Sequence, residues 1–153
     1  MRLNMSRRQA LSLAGTAFTI YAVSGIAFPA FAAKNDSDDL IKKFTGGKLP
    51  MKGKVKLDLP EIAENGNAVP MTVSVESPMT EESHVTEVLI VADANPNGAV
   101  AVFHFSPASG AAEANTRIRL AETQNVIAVA KMNDGSVFTD ARQVKVTIGG
   151  CGG

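Results

Sequence analysis

Cysteine, histidine and net charge are all scarce in this sequence, and each scarcity closes off a class of function. A single cysteine excludes any disulfide within the chain. The two histidines, His84 and His104, fall far short of a metal centre, which needs several His, Cys or carboxylate ligands converging. His104 lies between Phe103 and Phe105 and reads as a surface or satisfied core residue. Met51, Met71, Met79 and Met132 are scattered, without the Met-x-x-Met or His-Met cluster of a copper carrier. No acid–histidine pair is spaced to make a hydrolase of the Ser106–Gly110 loop, and no cofactor motif appears. No cofactor is therefore expected, and the chain does not read as an enzyme acting alone. A formal net charge of +0 offers no field for nucleic acid or an anionic membrane. Internal repeats and low-complexity segments are absent.

What is present begins with an export signal. Arg7-Arg8 follows Ser6 and precedes an uncharged run from Leu11 to Phe28, and Ala30-Phe31-Ala32 supplies a small-x-small cleavage pattern. The paired arginines favour the twin-arginine route and a periplasmic destination. The run is long enough to raise a membrane anchor as the alternative, but Gly15, Gly25, Pro29 and the cleavage pattern argue against one. Residues 1–32 are thus assigned to a twin-arginine signal peptide. Their loss removes Arg2, Arg7 and Arg8, so the mature charge is 12 − 15 = −3, which does not suit a phosphate-backbone binder. Export of a folded chain without a cofactor suggests that a partner travels with it.

Residues 33–148 read as one domain, long enough to bury a single core. Ser37 is placed as the cap of a short helix through Phe44, with acids in its first turn, bases in its last and Gly46-Gly47 as its stop. Leu40, Ile41 and Phe44 are expected to face the body. Strands are predicted over Val55–Leu59, Met71–Val75, His84–Ala92, Val100–Phe105, Thr116–Leu120, Val126–Met132 and Val144–Ile148, with a weaker one at Val137-Phe138. Val85, Leu89 and Val91 are expected to share a buried face that exceeds what a small sandwich needs. Turns are read at Asn65-Gly66, Asn95–Gly98, Ser109-Gly110 and Asp134-Gly135. The fold class is therefore all-β, an immunoglobulin-like antiparallel β-sandwich with a short N-terminal helix and a flexible C-terminal arm; a closed barrel is the alternative.

The arm is residues 149–153, Gly149-Gly150-Cys151-Gly152-Gly153. In an exported protein its lone thiol is either reactive or paired with another chain. Flanking glycines remove the β-carbons that would crowd the sulfur, and the extended arm reaches roughly 17 Å at about 3.4 Å per residue. Cys151 is the candidate for covalent substrate attachment, and Gly149, Gly150, Gly152 and Gly153 for a slender support that buries almost nothing. No catalytic or metal-binding residue is assigned. Disordered chain end, disulfide anchor and ubiquitin-like Gly-Gly carrier are the competing readings; the last acts in the cytosol and has no use for Cys151. Cys151 has no cationic neighbour in sequence to ionise its thiol, so activation is expected from a partner.

The segments KFTGGK, VKLDLPEIAENGNAVPMTVSVESPMT, NTRIRLAETQNVIAVAKMNDGS and VKVTIGGCGG, with the Arg-Arg signal, closely resemble the SoxY family over essentially the whole mature chain. The resemblance implies an immunoglobulin-like sandwich paired with a second sandwich subunit, SoxZ. It further implies a non-catalytic carrier in periplasmic thiosulfate oxidation, with sulfur intermediates held on Cys151. Haem-containing SoxAX would form the cysteine S-thiosulfonate, SoxB would hydrolyse it to release sulfate, and a sulfur dehydrogenase would oxidise the sulfur that remains.

Overall fold

The computed structural model describes residues 35–150, which belong to one unit, Ala33–Gly153. The signal-peptide assignment and the positions of Cys151, Gly152 and Gly153 lie outside the described residues. Within them the chain forms a helix, α1 (Ser37–Thr45), followed by β1 (Met51–Lys52), β2 (Val55–Asp58), β3 (Ile62–Asn65), β4 (Val69–Val75) and β5 (Val85–Ala92). Then come β6 (Ala99–His104), β7 (Ala112–Ile118), β8 (Gln124–Met132) and β9 (Val137–Ile148). The larger sheet runs β1-β9-β8-β5-β6, with β3 also on β9, and the smaller runs β2-β4-β7. The fold is the immunoglobulin-like sandwich expected, with one difference: β1 and β3 pair with β9 in parallel.

Alternation builds the core. In β4 Val69, Met71, Val73 and Val75 are buried, while Pro70 is exposed and Thr72 and Ser74 are half-buried. This row packs with Val55 and Leu57 of β2 against Val88, Ile90 and Ala92 of β5 and Val126, Ala128 and Ala130 of β8. Val85 also faces this core, but Leu89 and Val91 do not share its face. A register shift between Val85 and Glu87 lets two residues of β5 oppose one step of β8, and such a bulge reverses the inward parity. Leu89 instead shares a groove on the outer side with Leu40 and Phe44 of α1, and Leu89 and Val91 are both buried. The apolar surplus expected on β5 is therefore covered within the chain.

The helix start also departs from expectation. Asp36, not Ser37, occupies the cap position: its carbonyl accepts from the Leu40 amide at 2.9 Å, while Ser37 is buried in the first turn. Asp36 Oδ1 instead accepts from the Gly98 amide at 2.9 Å, fastening the helix start to the β5–β6 turn. Gly46 ends the helix in the left-handed conformation at φ 63°. Leu40, Ile41 and Phe44 are half-buried.

β9 joins two stretches that read separately in sequence. Its middle, Asp140-Ala141-Arg142-Gln143, is polar because it faces solvent and a gap between β1 and β3 on its outer edge. Side chains bridge that gap: the Leu57 amide donates to Asp140 Oδ2 at 3.0 Å, and Arg142 Nε donates to the Leu57 carbonyl at 3.2 Å. Leu57 is only 1% exposed, so its amide has no easy recourse to water. Asp140→Ala is expected to lower stability by about 1–3 kcal/mol by orphaning that amide. A urea midpoint equal to the parent's would refute this role.

Candidate functional site

The candidate site is the end of β9, where the chain approaches Cys151. Beyond Asn65, the last residue of β3, the Gly66 amide donates to the Ile148 carbonyl at 2.7 Å and extends the β3–β9 ladder by one bond. The Gly66 carbonyl accepts from the Leu120 amide at 2.8 Å, and the Leu120 carbonyl accepts from the Gly150 amide at 2.9 Å. Three backbone bonds thus link the β3–β4 turn, the β7–β8 loop and the first glycines of the tail.

Such close backbone contact leaves no room for side chains. A Cβ on Gly150 would overlap the Gly66 carbonyl and the Asn67 amide nitrogen, one on Gly149 the Ala121 carbonyl oxygen, and one on Gly66 the Leu120 carbonyl oxygen. Gly66 and Gly150 are both buried. The expectation that the whole tail buries almost nothing is therefore corrected at Gly150. Glycine is required at 149 and 150 by close approach to the body, not by slenderness.

A polar network holds the β7–β8 loop in place. Asn95 Oδ1 accepts from the Ala121 amide at 2.9 Å and from Gln124 Nε2 at 2.8 Å, while Asn95 Nδ2 donates to the Arg119 carbonyl at 2.9 Å. Gln124 is 3% exposed, and its Oε1 accepts from the Ala94 amide at 2.9 Å. Asn35 Nδ2 donates to the Ala92 and Asn95 carbonyls at 2.6 and 2.9 Å, tying the segment before α1 to the same turn. Sequence reasoning missed Gly66, Asn95, Leu120, Ala121 and Gln124 as parts of one site. Asn65-Gly66 and Asn95–Gly98 were legible as turns, but nothing in a turn signal tells what it touches.

The remaining candidates stand apart from this site. His84 Nδ1 lies 2.9 Å from the Thr80 carbonyl, and exposed His104 lies 3.3 Å from Glu87 Oε1. Among the described residues no three His, Cys, Asp or Glu side chains converge on a point that would hold a metal. Two carboxyls titrate below their ordinary range: Asp134, through the Ser136 hydroxyl and amide, and Glu82, through its own amide and the Thr80 hydroxyl. Both sit near the β8–β9 turn, at the far end of β9 from Gly150. Among the described residues no helix is long and apolar enough to cross a membrane.

Fold and site together define an immunoglobulin-like sandwich domain whose tail is fastened at its base. The family model for sulfur oxidation protein SoxY matches residues 41–151, and the chain belongs to the SoxY family. Its fold is similar to the sulfur carrier protein SoxY from Chlorobium limicola f thiosulfatophilum, with 35% identity and a TM-score of 0.59 over 72% of this chain and 96% of that one. Superoxide reductase (neelaredoxin) from Ignicoccus hospitalis is similar at 15% identity and a TM-score of 0.54, over 61% of this chain and 80% of that one. Superoxide reductase from Nanoarchaeum equitans is similar at 11% identity and a TM-score of 0.52, over 62% of this chain and 99% of that one. At such identities the two reductases share the fold alone. No curated protein sequence matches the chain significantly.

Gly150→Val tests the packing of the tail base. Overlap with the Gly66 backbone is expected to destabilise the fold by roughly 1–3 kcal/mol, lowering Tm. A Tm unchanged from the parent would restore the view of Gly150 as a spacer without contacts.

Proposed function

We propose that this protein is a covalent carrier of sulfur intermediates in thiosulfate oxidation, with Cys151 as the attachment point. The observation that carries the reading is the SoxY family match, which extends through residue 151, the chain's one cysteine. The likeness to a protein described as a sulfur carrier supports it. So does the end of β9, whose pairing with β3 runs to Ile148, directly before the glycine pair that precedes Cys151.

The chemistry balances with one thiol and outside enzymes. Joining the Cys151 sulfur to the outer sulfur of thiosulfate forms an S–S bond, releases one proton and passes two electrons to an oxidising partner, here the haem protein SoxAX. Water then cleaves the bond to the sulfonate sulfur; sulfate and two protons leave, and a persulfide anion remains on the cysteine. SoxB fits that hydrolysis, and a sulfur dehydrogenase fits the oxidation of the remaining sulfur. The carrier contributes the thiol and its presentation. Twin-arginine export to the periplasm and a heterodimer with SoxZ complete the reading, supported by Arg7-Arg8 and by the family resemblance.

Intact-mass measurement of the protein from cells oxidising thiosulfate is expected to show sulfur and sulfonate adducts that Cys151→Ser abolishes. Cys151→Ser is also expected to eliminate thiosulfate-dependent turnover in the reconstituted system while leaving Tm close to the parent's. Only unmodified or disulfide-linked chains would mean a structural sandwich joined through Cys151 instead. For the partner, mixing the mature chain with SoxZ is expected to give a species of heterodimer size on gel filtration. Independent elution of the two would end the pairing idea.

A further inference from the structure

Gly149 and Gly150, the two residues before Cys151, are fastened to the body, which bears on the carrier reading and rests on it only for its use. Three chain segments meet there through backbone alone: Gly66 to Ile148, Leu120 to Gly66 and Gly150 to Leu120. A β-carbon would overlap the Leu120 carbonyl oxygen if placed on Gly66, the Ala121 carbonyl oxygen if on Gly149, and the Gly66 carbonyl if on Gly150. A chain end designed only to sweep freely has no use for a glycine of the body shaped to receive it.

We propose that Gly66, with the Leu120–Ala121 backbone, forms a clasp that makes it a positioning residue for Cys151. With the clasp closed, the thiol departs from a fixed point one residue beyond Gly150. Opening it frees Gly149 and Gly150 and adds roughly 7 Å of reach at about 3.5 Å per residue. Closed and open clasp therefore give the same cysteine a short and a long reach. The pivot for the short one is the bond that follows Gly150.

Because Cys151 is the one cysteine, a nitroxide can be attached there alone. In the parent mature chain the Gly150 amide is expected to exchange with deuterium on the order of 100-fold more slowly than an open amide. The nitroxide spectrum is expected to contain a restricted component. Gly66→Ala is expected to remove both the protection and that component, and Gly149→Ala, acting from the tail side, to do the same. A Gly150 amide that exchanges unprotected in the parent would overturn the clasp, and this measurement needs no variant to fold. Folded Gly66→Ala and Gly149→Ala chains that keep the parent's protection and spectrum would overturn it equally. Neither readout depends on sulfur chemistry. An intact clasp with no sulfur adduct on Cys151 would therefore reject the carrier reading and leave the clasp standing.

Discussion

Most of the structure depends on β9 having a neighbouring strand on each side: β8 on one, and β1 and β3 on the other. Twelve residues of strand span roughly 40 Å, and each residue presents backbone groups that need partners. β8 serves one edge from Val137 to Val144. The other pairs with β1 at Phe138 and Thr139 and with β3 from Lys145 to Ile148, and between them the Asp140 and Arg142 side chains reach out to the Leu57 backbone. A strand held this way carries position from the β8–β9 turn to the opposite pole without a break. The pieces also lock the sandwich, because Leu57 belongs to the smaller sheet.

Glycine has two physical uses, and this chain shows them separately. At Gly46 it supplies a left-handed backbone that ends a helix. At Gly66 and Gly150 it supplies the absence of a side chain where two backbones approach each other. A glycine run gives the same letters for both, so composition alone favours the reading of freedom. Contact across 84 positions, from Gly66 to Gly150, is a property of the folded ladder: β3 must lie beside β9 in register before Gly66 reaches Ile148.

Legibility followed the same division. β4 was readable from Met71 onward because Met71, Val73 and Val75 alternate with Thr72 and Ser74 on a sheet with one wet face; its first two residues, Val69 and Pro70, were not read as strand. The run Val85–Ala92 was readable as a strand but not in its facing, since it is apolar on both sides and the bulge before Glu87 leaves no mark in residue type. β1 and β3 escaped notice: one has two residues, and Ile62-Ala63-Glu64-Asn65 pairs through backbone that any side chain could carry. The polar centre of β9 was not read as strand because nothing in its residue types marks its pairing with Asn125–Ala128 of β8. Cys151 stood out by composition, whereas the contacts of Gly150 with Gly66 and Leu120 could be found only in three dimensions.

Under the proposed carrier role, stability must be kept out of the reactive group, or each reaction would strain the fold. The described residues satisfy that demand by a short mechanical chain. Asn35 holds the turn containing Asn95, and Asn95 holds Arg119 and Ala121. Leu120, fully buried between them, presents its carbonyl to Gly150. Each link is a neutral hydrogen bond, worth about 0.5–1.5 kcal/mol net, and none involves an ionisable group. Neither pH nor the charge of a bound sulfur oxoanion acts directly on such links. What acts on them is the shape of any surface that comes close enough to compete for the backbone at Gly66 and Leu120.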